Sequence, residues 1–126
     1  MPQFYPEHTP STDDSFTQGY LDAAEWLLDE DLDRSKVRGW TKAAIAKAAV
    51  ECKAFQEANG DDLGRYQDTT GRDLGSAGHD FFLTRNGHGA GYWDRGDDAC
   101  LTRLTDAAKG CGEADPYLWR GRLNWG

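Results

Sequence analysis

The sequence predicts an α+β fold: about three main helices packed on a small antiparallel sheet of three or four strands built from hairpins. Three observations predict it. Residues 16–28 and 41–59 space their apolar side chains at a helical period, and a third such stretch begins at Asp97 and Asp98. Asn86-Gly87 and Arg120-Gly121 are turn dipeptides set between aromatic and β-branched runs, as in hairpins. The chain has 126 residues, 38% of them hydrophobic, with five each of Trp, Tyr and Phe, which suits one core rather than two.

In chain order, residues 1–12 carry three prolines and read as an extended N-terminal arm, and residues 13–126 as a single α+β domain. Asp13, Asp14 and Ser15 offer capping oxygens to the first helix, whose apolar stripe is Phe16, Tyr20, Ala23, Ala24, Leu27 and Leu28. At about 100° per residue, Asp22, Glu25, Asp29 and Asp33 fall together on the opposite side, with Trp26 at the margin of this acidic ridge. A basic connector from Arg34 to Trp40 leads to a second helix over Thr41 to Asn59. It turns Ile45, Ala48, Ala49, Cys52 and Phe55 inward and ends at a Gly60 cap. Residues 61–75 are polar, and Leu63, Tyr66 and Leu74 suggest one or two short helical turns.

The centre of the reading is a hairpin over residues 79–95. His79 to Arg85 has strand composition, Asn86 to Gly91 forms the tip, and Tyr92 and Trp93 lie on the returning strand. The third main helix then buries Cys100 or Leu101, with Leu104, Ala107, Ala108 and Cys111. A last hairpin turns at Arg120-Gly121, with Tyr117, Trp119 and Trp125 either in the core or forming an exposed aromatic patch.

Charge is unevenly placed. The net charge is −8, from 22 acids and 14 bases, and every charged residue before Arg34 is acidic. Such a surface argues against nucleic-acid binding through the first helix, because phosphates need cations, and suits a basic protein partner. The structural alternative is that Lys36, Lys42 and Lys47 pair with the ridge. No apolar run approaches the roughly 18 residues of a membrane span, and the N-terminus lacks signal-peptide features, so a cytoplasmic location is expected. Cys52, Cys100 and Cys111 are odd in number and show no metal-ligand spacing, which suits reduced and mostly buried thiols.

The run Ala77-Gly78-His79-Asp80-Phe81-Phe82-Leu83-Thr84-Arg85-Asn86-Gly87-His88-Gly89-Ala90-Gly91-Tyr92-Trp93-Asp94-Arg95-Gly96 resembles the signature of a family of small, largely uncharacterised proteins encoded by bacteriophages and prophages. The likeness extends to Phe16-Thr17-Gln18-Gly19-Tyr20-Leu21, to Cys52-Lys53-Ala54-Phe55-Gln56-Glu57-Ala58 and to Leu104-Thr105-Asp106-Ala107-Ala108-Lys109. Phe82 and Tyr92 stand where the family carries Trp and Phe. The resemblance brings no catalytic residues with it. What it implies is a phage accessory protein, for which counter-defence is a fitting role.

Three functional readings follow. The first is an acidic inhibitor of anti-CRISPR or anti-restriction type, whose ridge of Asp22, Glu25, Trp26, Asp29 and Asp33 imitates nucleic acid toward a basic host complex. The second is an accessory nucleic-acid-binding module using Arg85, Tyr92, Trp93 and Arg95. The third is a small enzyme or ligand-binding domain around His79, Asp80, Arg85, Asn86, His88, Tyr92, Trp93, Asp94 and Arg95. No spacing identifies a catalytic residue, a metal site or a cofactor, so the interaction protein ranks first.

Overall fold

The computed structural model describes residues 14–28 and 37–126. The expected arm over 1–12, and Asp29 and Asp33 of the ridge, lie outside the described residues. Helix α1 spans Ser15–Leu28. Asp14 starts it, one carboxylate oxygen accepting from the Phe16 amide at 3.0 Å and the other from the Thr17 hydroxyl at 2.7 Å. Strand β1 is Gly39–Trp40 and α2 is Lys42–Ala58. Thr41 caps α2 by accepting from the Ala44 amide at 3.1 Å. Asn59, not Gly60, is its C-cap, and Gly60 opens α3, Gly60–Thr70. A helix of 11 residues, burying Leu63 and Tyr66, therefore replaces the short turns expected there.

The central hairpin is not formed. Residues 79–85 belong to helix α4, Leu74–Arg85, and Tyr92–Asp94 is a single 3₁₀ turn. Asp73 caps α4, accepting from the Ser76 amide at 2.8 Å. At the far end Asn86 is the C-cap and Gly87 takes φ +69°. The Gly87 amide donates to Thr84 O and the His88 amide to Leu83 O, at 3.1 and 3.0 Å, the double closure of a Schellman motif. The Asn-Gly signal thus marked a positive φ correctly, but one that ends a helix. Phe81, Phe82, Leu83, Thr84 and Arg85 are consecutively buried, so α4 carries no one-sided stripe. A helix covered on all sides shows no 3.6-residue period and reads as a strand.

Helix α5, Ala99–Gly110, begins at the Asp98 cap. Strands β2, Pro116–Trp119, and β3, Arg122–Trp125, form the expected tail hairpin, with Arg120 and Gly121 at φ 51° and 83°. The sheet is nevertheless mixed. Its order is β1-β3-β2, with β1 parallel to β3 and β2 antiparallel to it. The class is α+β, with five α-helices and a three-stranded sheet among the described residues. Of the three tail aromatics, Trp125 packs inward, its ring 4.8 Å from that of Trp40 and its Nε1 donating to Ala44 O at 3.0 Å. Tyr117 and Trp119 are exposed.

Helix α4 runs through the middle. The Phe81 ring lies 4.1 Å from Phe55, 5.3 Å from Tyr20 and 5.8 Å from Phe16. Helices α1 and α4 cross with their backbones touching: a Cβ at Gly19 would land on Gly75 O, and one at Gly78 on Phe16 O. Cys52 and Cys100 are buried free thiols, whereas Cys111, expected in the α5 stripe, is exposed because the helix ends beside it. Among the described residues no helix is long and apolar enough to cross a membrane.

Candidate functional site

Helix α4 carries a carboxylate into the interior. Asp80 is fully buried. Its two oxygens accept from Arg95 Nη2 at 2.7 Å and Arg95 Nε at 3.0 Å, and the second also accepts from the Tyr66 hydroxyl at 2.7 Å. Arg72 Nε donates to the Tyr66 oxygen at 2.9 Å and lies 3.8 Å from Asp80. A buried charge needs such partners, and here one carboxylate sits behind two guanidinium groups. The bonds to Asp80 raise the Arg95 pKa, and burial, reinforced by Asp80, raises that of Tyr66.

Beside this cluster, α1 and α4 line a cleft of about 640 Å³ that runs along their close crossing. Arg72 and Arg95 reach it from one side, Ser15 and Ser76 from the helix starts, and Asp22 and His79 from facing turns of α1 and α4. Burial lowers the His79 pKa, Arg95 and Arg72 add to this, and Asp80 and Asp22 oppose it. The imidazole is 6.2 Å from the ring of Trp26, whose side chain is 61% exposed. The described part of the acidic ridge and the N-terminal part of the predicted hairpin site are therefore neighbours. Asp22 is exposed and accepts from Gln18 at 2.8 Å. Among the described residues it forms no ion pair with a lysine, so the expected pairing with Lys42 or Lys47 does not occur at Asp22.

The other predicted site residues scatter. Arg85 is buried and fully engaged, donating to Glu51 at 2.6 Å, to the Tyr20 hydroxyl at 2.9 Å, and to the Gly112 and Cys111 carbonyls at 2.7 and 3.0 Å. It ties the end of α4 to α1, α2 and the C-terminus of α5, where a cation is favoured. Tyr92 is wholly buried and donates to Ala77 O at 2.6 Å. These two placements overturn the nucleic-acid surface of Arg85, Tyr92, Trp93 and Arg95, since half of it faces inward. Asn86 is a structural cap that also accepts from the Ala114 amide at 2.9 Å. His88 lies beyond that cap, and about 9 Å of helix rise separates His79 from Arg85 alone, so the two histidines do not converge. Trp93 and Asp94 are exposed on the 3₁₀ turn. Among the described residues no three His, Cys, Asp or Glu side chains come together as metal ligands.

Sequence reasoning missed Arg72, Tyr66, Ser15 and Ser76. The available signal was Asp73 three residues before Ser76, the spacing of a helix start, and the small residues Gly75 and Gly78 that allow a close crossing. The chain matches no protein-family model, no curated protein and no solved structure, so the site stands on its own geometry.

Proposed function

We infer that this is an interaction protein that docks a basic protein surface on the exposed side of α1 that carries Asp22 and Trp26. The observation that carries this reading is the 61% exposed Trp26 one helical turn from the exposed Asp22. A large aromatic beside carboxylates has the chemistry of an interface anchor for cationic side chains. The acidic first quarter of the sequence and the resemblance to phage proteins support a counter-defence role in the bacterial cytoplasm. In this role the protein inhibits a nucleic-acid-handling host complex of CRISPR or restriction type by occupying its phosphate-binding surface.

The test is capture of partners from nuclease-treated bacterial lysate by the tagged protein, beside Trp26→Ala and the double charge reversal Asp22→Lys/Glu25→Lys. Circular dichroism first establishes that each variant is folded. A defined nucleic-acid-processing complex retained by the unmodified protein and lost by both variants is the expected result. Equal retention by folded variants refutes docking through α1.

A further inference from the structure

We propose that the cleft between α1 and α4 binds a nucleoside monophosphate: phosphate on Arg72 and Arg95, ribose hydroxyls on Asp22, and base toward His79 and Trp26. The volume of about 640 Å³ lies within the range of small-ligand pockets. The proposal shares Asp22 and Trp26 with the partner reading but does not rest on it, because the guanidinium pair on Asp80 carries it and no second protein is needed.

The guanidinium groups are held in place before any ligand arrives. Arg95 uses Nε and Nη2 on buried Asp80, which leaves Nη1 for a ligand. Arg72 uses Nε on Tyr66, which leaves both terminal nitrogens. Their side chains are 21% and 36% exposed, enough for contact. Asp80 matches one of the two guanidiniums and leaves one unmatched within that trio, although the Asp22 and Asp73 carboxylates also line the cleft, and planar forks of this kind suit phosphate oxygens. Immobilised donors also reduce the ordering cost of binding. Ser15 and Ser76 add hydroxyls from the first turns of two helices whose starts are already capped by Asp14 and Asp73.

The remaining lining restricts what the anion can be attached to. Asp73 is committed to the Ser76 amide, but Asp22 faces the cleft and would repel a second negative group. A polyanion such as a nucleic-acid strand is disfavoured there, whereas a single phosphate carrying hydroxyl donors pairs with both ends. Trp26 stands outside the cleft lining, but its exposed ring lies 6.2 Å from that of His79 and offers an indole plane on which a base reaching past His79 can stack.

The experiment uses the purified chain with the four common ribonucleoside 5′-monophosphates, with inorganic phosphate and with adenosine, followed by thermal shift and tryptophan fluorescence. At least one monophosphate is expected to raise the melting temperature saturably and quench fluorescence, with inorganic phosphate and adenosine at least about tenfold weaker. Trp26→Leu, on the surface, should weaken the monophosphate about tenfold and leave the melting temperature of the free protein unchanged. Arg72→Gln should abolish the shift. The proposal is overturned if no monophosphate gives a saturable response, if inorganic phosphate alone matches the nucleotides, or if both folded variants bind as the parent does.

Discussion

Asp80 shows how a single side chain decides what its neighbours can do. Removing its charge while keeping its shape, as in Asp80→Asn, strands the mostly buried Arg95 guanidinium without a counter-ion. Leaving one member of a buried pair unmatched costs about 3 kcal/mol, so the urea midpoint should fall sharply with little change in slope. The sequence placed Asp80 near Arg95, and the two do touch, at 2.7 Å. That neighbourhood was inferred from strands facing each other, however, and it arises from a helix packed against a 3₁₀ turn. Thr84 and Tyr92, which the predicted hairpin placed on opposite strands, likewise meet, the Tyr92 amide donating to the Thr84 hydroxyl at 3.0 Å. Arg72 was not legible at all, because its role depends on where α3 ends, and nothing in its local sequence distinguishes it from a solvated arginine.

Between elements, the crossing of α1 and α4 is the most demanding contact. Gly19→Ala and Gly78→Ala each insert a methyl group into a facing carbonyl, so both should lower stability by several kcal/mol or prevent folding. Gly64→Ala is the matched control. Gly64 lies in α3 with open space around it, and alanine there should add up to about 1 kcal/mol through helix propensity. Denaturant titration of the three variants separates the two causes. Helices α1, α2 and α5 were legible because each has one buried stripe and a clear capping residue. Helix α4 was hidden by its own burial, and β1 by its length of two residues, which leaves no alternation to detect. The tail hairpin was legible because Arg120-Gly121 fixes its turn locally.

At the scale of the molecule, proton linkage connects the cleft to global stability. The folded His79 pKa is below its ordinary value near 6.5, chiefly through burial. The unfolded chain therefore binds the proton more tightly. The stability associated with neutral His79 is present above pH 6.5 and is lost as pH falls through the folded pKa. Urea midpoints at pH 7.5 and pH 5.5 should differ more in the parent than in His79→Gln, and equal differences would remove His79 as the cause. The α+β class needed only composition and patterning. The cleft required the assembled fold, since its lining comes from α1, the turn before α4, α4 itself and the residue after the 3₁₀ turn.

The burial of α4 from Asp80 to Arg85 also bears on motion. Amide hydrogens in its central turns have no local route to solvent, so they exchange only when the whole molecule opens. His79 and Asp80 are therefore carried on a wall that stays still on the timescale of ligand exchange. Arg72 precedes the α4 cap and Arg95 follows a single 3₁₀ turn, both on connections rather than in long helices. Even so, both guanidinium groups are tethered, Arg95 to Asp80 and Arg72 to Tyr66, so the cleft is preformed and would be entered without rearrangement of its walls.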